Sequence, residues 1–404
     1  MRLIAFGANF LWVLILGLLG PALPGIIKDL QINYAKAGMF FSVISFGGLF
    51  GTTIGSILSD FVDRRLIFLL SSVFLMGSLV LMSVAPSFLY FILALLLLSI
   101  LGSPIGAVGQ GMVLERYPEK RETNLTLQSI FAASGSFVAP LMISVNYTVG
   151  RGWRLAFIEA ALIGGVLFVG MFFIRGGIEK GRDEETVGSA GGSSVAGNRI
   201  GEVRAKLGRF GKVVTVFKNR QVLFSFILMF LFVGTDFGFS YWLAEYSRSE
   251  LALDITLSSA VVLFYIGGVI VGRVAGLFLL KRFSSKWLLK NLPIVSLLSF
   301  IGFLLVDLVW LKLLFIVLYG FGLSPVFPML MAYGTEAVPE NPGVVTGLLF
   351  ASLSFGGIVF PLLIGIIAMK IGLRGAFLFI LLLLIVIMLS IWRTFGLKIK
   401  TATR

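Results

Sequence analysis

The sequence predicts an all-α membrane protein: twelve transmembrane helices in two pseudo-symmetric six-helix bundles. Three observations carry that reading. Of 404 residues, 58% are hydrophobic and 13% are charged, with a mean hydropathy of +1.03. The apolar residues fall in continuous runs of about 20, the length a helix needs to cross a bilayer. Polar landmarks also recur between the two halves at one fixed offset. A soluble fold of this length cannot hide so much apolar surface, so a soluble enzyme, a disordered chain and a single-pass receptor are excluded. An outer-membrane barrel is excluded as well, because its strands alternate over about ten residues.

The first run follows Arg2 and passes Leu19. It is long for a signal peptide, and Pro21-Ala22-Leu23-Pro24 is a poor cleavage site, so it reads as an uncleaved helix 1. Spans 2 to 6 are expected near 36–58, 66–84, 88–115, 124–149 and 154–175. Residues 177–220 then interrupt the hydrophobicity. Gly177 to Asn198 reads as a flexible linker, and Ile200, Val203, Leu207, Phe210 and Val214 predict a basic amphipathic helix on the membrane surface. Spans 7 to 12 are expected near 221–247, 257–280, 288–309, 312–335, 344–369 and 375–393. The organisation is therefore an N-terminal bundle 1–176, a linker 177–220 and a C-terminal bundle 221–404.

Twelve spans place both termini on one side. With that side cytoplasmic, 24 of the 33 basic residues lie inside, eight outside and Arg273 within a span. Positive charge concentrates on the cytoplasmic side of membrane proteins, so the expected location is the cytoplasmic membrane. The formal charge of +14 is then accounted for by loops facing anionic lipid, and no nucleic-acid partner is expected.

The repeat supports two halves. Ser103, Pro104, Glu115, Pro118, Glu119, Gly135 and Pro140 recur 221 residues later as Ser324, Pro325, Glu336, Pro339, Glu340, Gly356 and Pro361. Gly47-Gly48 recurs as Gly267-Gly268 at 220. Parallel six-helix repeats with a site at their interface are one plan of secondary transporters.

Composition also narrows the chemistry. Cys and His are both 0, which excludes disulfides, thiolate catalysis and the usual zinc sites. Proton coupling would have to use carboxylates. No phosphate-binding loop, arginine-rich voltage sensor or carbonyl filter is present. No enzyme activity, cofactor or metal is expected, and the protein reads as a monomer.

The loop between helices 2 and 3 reads Ser56-Ile57-Leu58-Ser59-Asp60-Phe61-Val62-Asp63-Arg64-Arg65. It resembles the loop signature of the major facilitator superfamily. Leu58, Asp60, Arg64 and Arg65 match, whereas Ser56, Phe61 and Asp63 depart from the pattern. The resemblance implies a conformational latch in which Asp60, flanked by Arg64 and Arg65, holds the inner end of helix 2 to the other half. Gly234-Thr235-Asp236-Phe237-Gly238, Gly272-Arg273 and Gly320 to Pro325 resemble the fucose/galactose/glucose symporter-like branch of that superfamily.

Asp236 falls near the middle of helix 7. A carboxylate there is expensive unless paired, hydrated or protonated, and it is expected to carry a coupling proton or Na⁺ and to touch substrate. Arg273 is expected to lie nearer the cytoplasm and to pair with Glu336 as part of the latch, with binding of an anionic substrate as the alternative. Ser99, Ser103 and Gln110 share one face of helix 4, and Asn124 and Gln128 share one turn of helix 5. Amides suit a neutral polyol, so Gln110 and Gln128 are expected at the substrate, with Trp12, Tyr241, Trp242 and Tyr246 as aromatic faces. These expectations describe a transporter for a small polar solute, foremost a sugar, with a multidrug efflux antiporter or an organic-anion carrier as alternatives.

Overall fold

The computed structural model describes residues 2–59, 61–117, 119, 121–173 and 215–396, apart from the side chains at 114, 115, 121, 122, 126 and 396. Asp60, the linker as far as 214 and the expected amphipathic helix lie outside the described residues. Eleven described helices are long and apolar enough to span a membrane. In the first half they are α1 Arg2–Leu30, α2 Tyr34–Leu58, α3 Arg64–Ser83, α4 (88–116), α5 Arg121–Thr148 and α6 Gly152–Phe173. In the second they are α7 Arg220–Ser249, α8 Ile255–Leu279, α9 Ser285–Leu305, α10 Val309–Glu336, and the long helix Pro342–Gly396. That last helix is two spans. Gly372 adopts φ 82° and ψ 166°, a left-handed conformation that only glycine tolerates cheaply, and the chain turns there into α11 (342–371) and α12 (373–396). Twelve spans result.

The turns are written in side chains that satisfy the exposed N–H groups of the next helix. Asn33 Oδ1 accepts from the N–H of Lys36 at the start of α2 (2.9 Å). Asp63 accepts from the N–H of Arg65 at the start of α3 (2.9 Å), which explains why an aspartate stands where the loop signature has glycine. Asp254 Oδ1 accepts from Thr256 and Leu257 at the start of α8 (2.8 and 2.9 Å).

The two halves break the same helices at matching places. α4 runs as Phe88–Leu97, a π-helical turn Leu98–Gly102 and Pro104–Arg116; α10 runs as Val309–Leu323 and Val326–Glu336. Each break falls at a Ser-Pro pair, where proline removes a backbone donor.

The packing also corrects the repeat. Gly47 presses α2 against Ser99 of α4, and Gly268 presses α8 against the Val317 carbonyl of α10. One turn on, Gly51 meets Ile100 and Ser103, and Gly272 meets Phe321 and Ser324. The equivalent glycines are therefore 47 with 268 and 51 with 272, both 221 apart like the other landmarks. Gly267 has no neighbour within 4 Å of a Cβ, so the offset of 220 was a coincidence of adjacent glycines.

Across the interface α1 packs on α7, α2 on α11 and α5 on α8. We call the side where α1 begins the terminal side and the opposite one the far side. The inter-half hydrogen bonds among the described residues lie towards the far side: Tyr34 to Glu245 (3.2 Å), Ser42 to the Ile358 carbonyl, Ser144 to the Thr256 carbonyl (3.2 Å) and Ser259 to the Pro21 carbonyl (2.8 Å).

Candidate functional site

A cavity of about 300 Å³ lies between the halves, on the terminal side of those contacts, walled by α1, α5, α7 and α8. Glycine shapes its wall. Gly20 lets α1 approach the backbone of Ser240 and Tyr241 on α7, to within 3.2 Å of where a Cβ would sit. α8 contributes Tyr265, Val269 and Arg273, spaced i, i+4 and i+8 and so on one face.

Asp236 opens onto this cavity from the middle of α7. The Tyr265 hydroxyl donates to Asp236 Oδ1. Arg273 lies within electrostatic reach of the same carboxylate. Ser136, Ser240 and Tyr241 add hydroxyls, while Val13, Leu16, Val262 and Ile266 supply apolar wall. Tyr241 also forms part of the far-side closure, stacking on Phe41 of α2 at 4.2 Å and 8°. Behind the site Tyr319 of α10 donates to the Thr235 carbonyl (2.8 Å), which fixes the backbone beside Asp236. The cavity thus offers one carboxylate, one guanidinium and several hydroxyls between apolar walls, and suits a small solute that presents both hydroxyls and an apolar face.

Of the residues expected at the substrate, Asp236 and Tyr241 line this cavity, as does Arg273, expected there only on the organic-anion alternative. Trp242 is 0% exposed and packs edge-on against Tyr34 at 5.9 Å. Tyr246 packs on Phe377 at 4.1 Å and Phe303 at 5.2 Å. Each helical residue turns about 100° from the last, so when Tyr241 faces the cavity Trp242 faces away, and Tyr246 follows Trp242 one turn on. Trp12 is half-buried beside Gly48 of α2.

Gln110 is half-buried and Gln128 buried within the N-terminal half. The Gln128 backbone carbonyl accepts from Asn9 Nδ2 of α1 at 3.4 Å, so this turn of α5 packs on a helix of its own bundle. The i, i+4 pattern reveals a shared face but not the neighbour it meets.

The expected pairing of Arg273 with Glu336 is not made among the described residues. Arg273 shares the cavity with Asp236, while Glu336 lies in a small separate cleft with Lys286 and Tyr333. Arg65 Nη2 donates to the Phe172 carbonyl of α6 (2.7 Å), a contact within its own half, and Arg64 lies within reach of α4 at Gly111. Glu159 accepts from Asn146 Nδ2 (2.8 Å), away from the cavity. The sequence reading missed Tyr265, Ser136 and Ser240. Tyr265 was within reach of it, since it lies two turns before Arg273 on one helical stripe.

Two six-helix repeats thus enclose a polar cavity at their interface. Residues 5–352 match the Major Facilitator Superfamily, and the chain belongs to that family: it is a multi-pass secondary transporter. A stretch of 149 residues is 30% identical to the glucose/mannose transporter GlcP of Bacillus subtilis (strain 168), covering 37% of this chain and 36% of that relative. Among solved structures, the nucleoside transporter NupG in a mutant form superposes with a TM-score of 0.78 at 14% identity, covering 98% of each chain. A bacterial homologue of the human lysosomal transporter Spinster, inward-facing and unoccupied, superposes at 0.76 with 14% identity, over 98% of this chain and 96% of that one. These likenesses establish the fold.

Proposed function

We propose that this transporter moves a sugar or similar small polar solute by alternating access, coupled to protons or Na⁺ through Asp236. The observation that carries the reading is the Asp236–Tyr265 pair, an acid held by a phenol inside the interface cavity. Such a carboxylate can bind a proton or a cation, and the hydroxyls around it can exchange hydrogen bonds with a polyol. The similarity to a glucose/mannose transporter over part of the chain supports the same class. The bundles are taken as 1–176 and 221–404, joined by 177–220, with both termini cytoplasmic and the protein acting as a monomer in the cytoplasmic membrane. On that reading the cavity faces the cytoplasm in this structure.

The test is uptake by purified protein in liposomes, with an imposed proton or Na⁺ gradient and a panel of hexoses and nucleosides. A ligand that binds only the folded state also raises its stability, so a thermal-shift screen with the same panel selects candidates. Gradient-driven accumulation of a hexose supports the reading, and stabilisation by organic acids alone overturns the sugar assignment. The second reading, an organic-anion carrier, is favoured by Arg273, because its guanidinium lines the same cavity. Efflux of amphipathic compounds finds support only in the apolar wall.

A further inference from the structure

One buried acid takes no part in the reading above. The Glu245 side chain on α7 is 0% exposed. Arg248, one turn on, holds it with two bonds, Nε to Oε2 at 3.0 Å and Nη2 to Oε1 at 2.6 Å. The third bond crosses to the other half: the hydroxyl of Tyr34, the first residue of α2, donates to Glu245 Oε1 at 3.2 Å. The surroundings are tight. Gly365 of α11 abuts the Tyr34 carbonyl and leaves only 3.1 Å between a Cβ position and the Trp242 ring. The first turn of α2 is therefore wedged between α7 and α11.

We propose that Tyr34 and Glu245 form a clasp that keeps the far side closed, and that its release is a step in opening the cavity to that side. The ionic partner of Glu245 is on its own helix, so the Glu245–Arg248 pair survives when the halves separate. Arg248 is already 36% exposed and can carry the pair into water. Releasing the clasp then loses one hydrogen bond and its ring contacts, and strands no buried charge. An ion pair spanning the two halves would strand one. The clasp is thus strong enough to bias the closed state and weak enough to release reversibly.

The same helix pair reaches the cavity through α7. Tyr241 precedes Glu245 by one turn of α7, and Phe41 follows Tyr34 by two turns of α2. These spacings put Phe41 and Tyr34 on one face, opposite Tyr241 and Glu245 on another. Since Tyr241 both lines the cavity and stacks on Phe41, a ligand pressing on Tyr241 acts on the surfaces the clasp holds together. This inference rests on transport by this fold and not on the identity of the solute.

The experiment uses the full chain, which has no native cysteine. R151C and E250C place two labels on exposed far-side residues, one in each half, and spin-label distances are read in lipid nanodiscs. Tyr34→Phe removes a single hydroxyl and keeps the ring. A hydrogen bond to a charged group shifts a two-state balance by about ten-fold or more when lost, so Tyr34→Phe is expected to raise the far-side-open population by about ten-fold, with a near-unchanged melting temperature. Glu245→Gln, a weaker acceptor, is expected to shift distances the same way. Distances identical to the parent in both variants overturn the clasp, and so does a lowered melting temperature with unchanged distances. If one variant fails to fold, the other decides.

Discussion

The Tyr265 hydroxyl on α8 donates to the carboxylate of Asp236 on α7, inside the cavity that separates the two halves. Both helices belong to the C-terminal half, so the pair can persist when the halves rock against each other. Its neighbour Arg273 sits two turns from Tyr265 on the same stripe. Acid, phenol and guanidinium therefore sit on one half and can move as one unit.

Removing the phenol tests that unit. Tyr265→Phe leaves the ring packing on Phe239 (5.4 Å) and Tyr319 (5.9 Å) in place and deletes one hydrogen bond to a carboxylate, which is worth about 1.5–3 kcal/mol. We expect the variant to fold, and gradient-driven uptake to fall by about ten-fold or more. Uptake by liposomes containing each protein measures this, and parent-level uptake would show that the phenol serves packing alone.

Asp236→Asn keeps the shape of the side chain and removes its exchangeable charge. Uphill accumulation should disappear, while solute exchange at equal concentrations on both sides persists in part, because exchange needs binding but not coupling. Counterflow of labelled solute separates the two. Accumulation at the parent rate would make Asp236 a structural residue.

The fold was legible in the sequence because hydrophobic length and the repeat are strong, additive signals: every span has its own run of apolar residues. The break in α10 at Ser324-Pro325 could be foreseen from its partner in α4. Of the groups that line the cavity, the sequence singled out Asp236, where a midplane carboxylate stands out against its surroundings, together with Tyr241 and Arg273. Gln110, Gln128, Trp242 and Tyr246 were misplaced for a common reason. Polar and aromatic residues also serve inside one bundle, and spacing along a helix does not say whether its face meets a cavity or a neighbour. Which way α7 faces is settled by contacts such as Gly20 against Tyr241, more than two hundred residues apart.

Topology can be tested outside the described residues. On the proposed topology, with the basic-rich side cytoplasmic, Ser193 in the linker is expected in the cytoplasm. A cysteine introduced there is unique in the chain. It should escape an impermeant thiol reagent in intact right-side-out cells and react after the membrane is permeabilised. Labelling in intact cells would invert the whole assignment, including the side to which the cavity opens.

Adjacent glycines in α8 provide a test of the repeat in which the sign of the effect reverses. A Cβ on Gly268 would collide with the Val317 carbonyl of α10, a backbone atom that cannot swing away, whereas a Cβ on Gly267 meets nothing within 4 Å. Gly268→Ala forces two helices apart, and overpacking of this kind costs about 1–3 kcal/mol. Gly267→Ala adds no clash and gains helix propensity of roughly 0.5–1 kcal/mol. The equivalent pair in α2 should behave alike: Gly47→Ala meets Ser99 of α4, while Gly48→Ala comes only within 3.9 Å of the Trp12 ring. Thermal unfolding of the four variants should therefore give two lowered and two level or raised melting temperatures, with the lowered ones at 47 and 268. If 267 proves the sensitive position in α8, the two halves are related by 220 residues at this contact and α8 is rotated by one residue from the packing described.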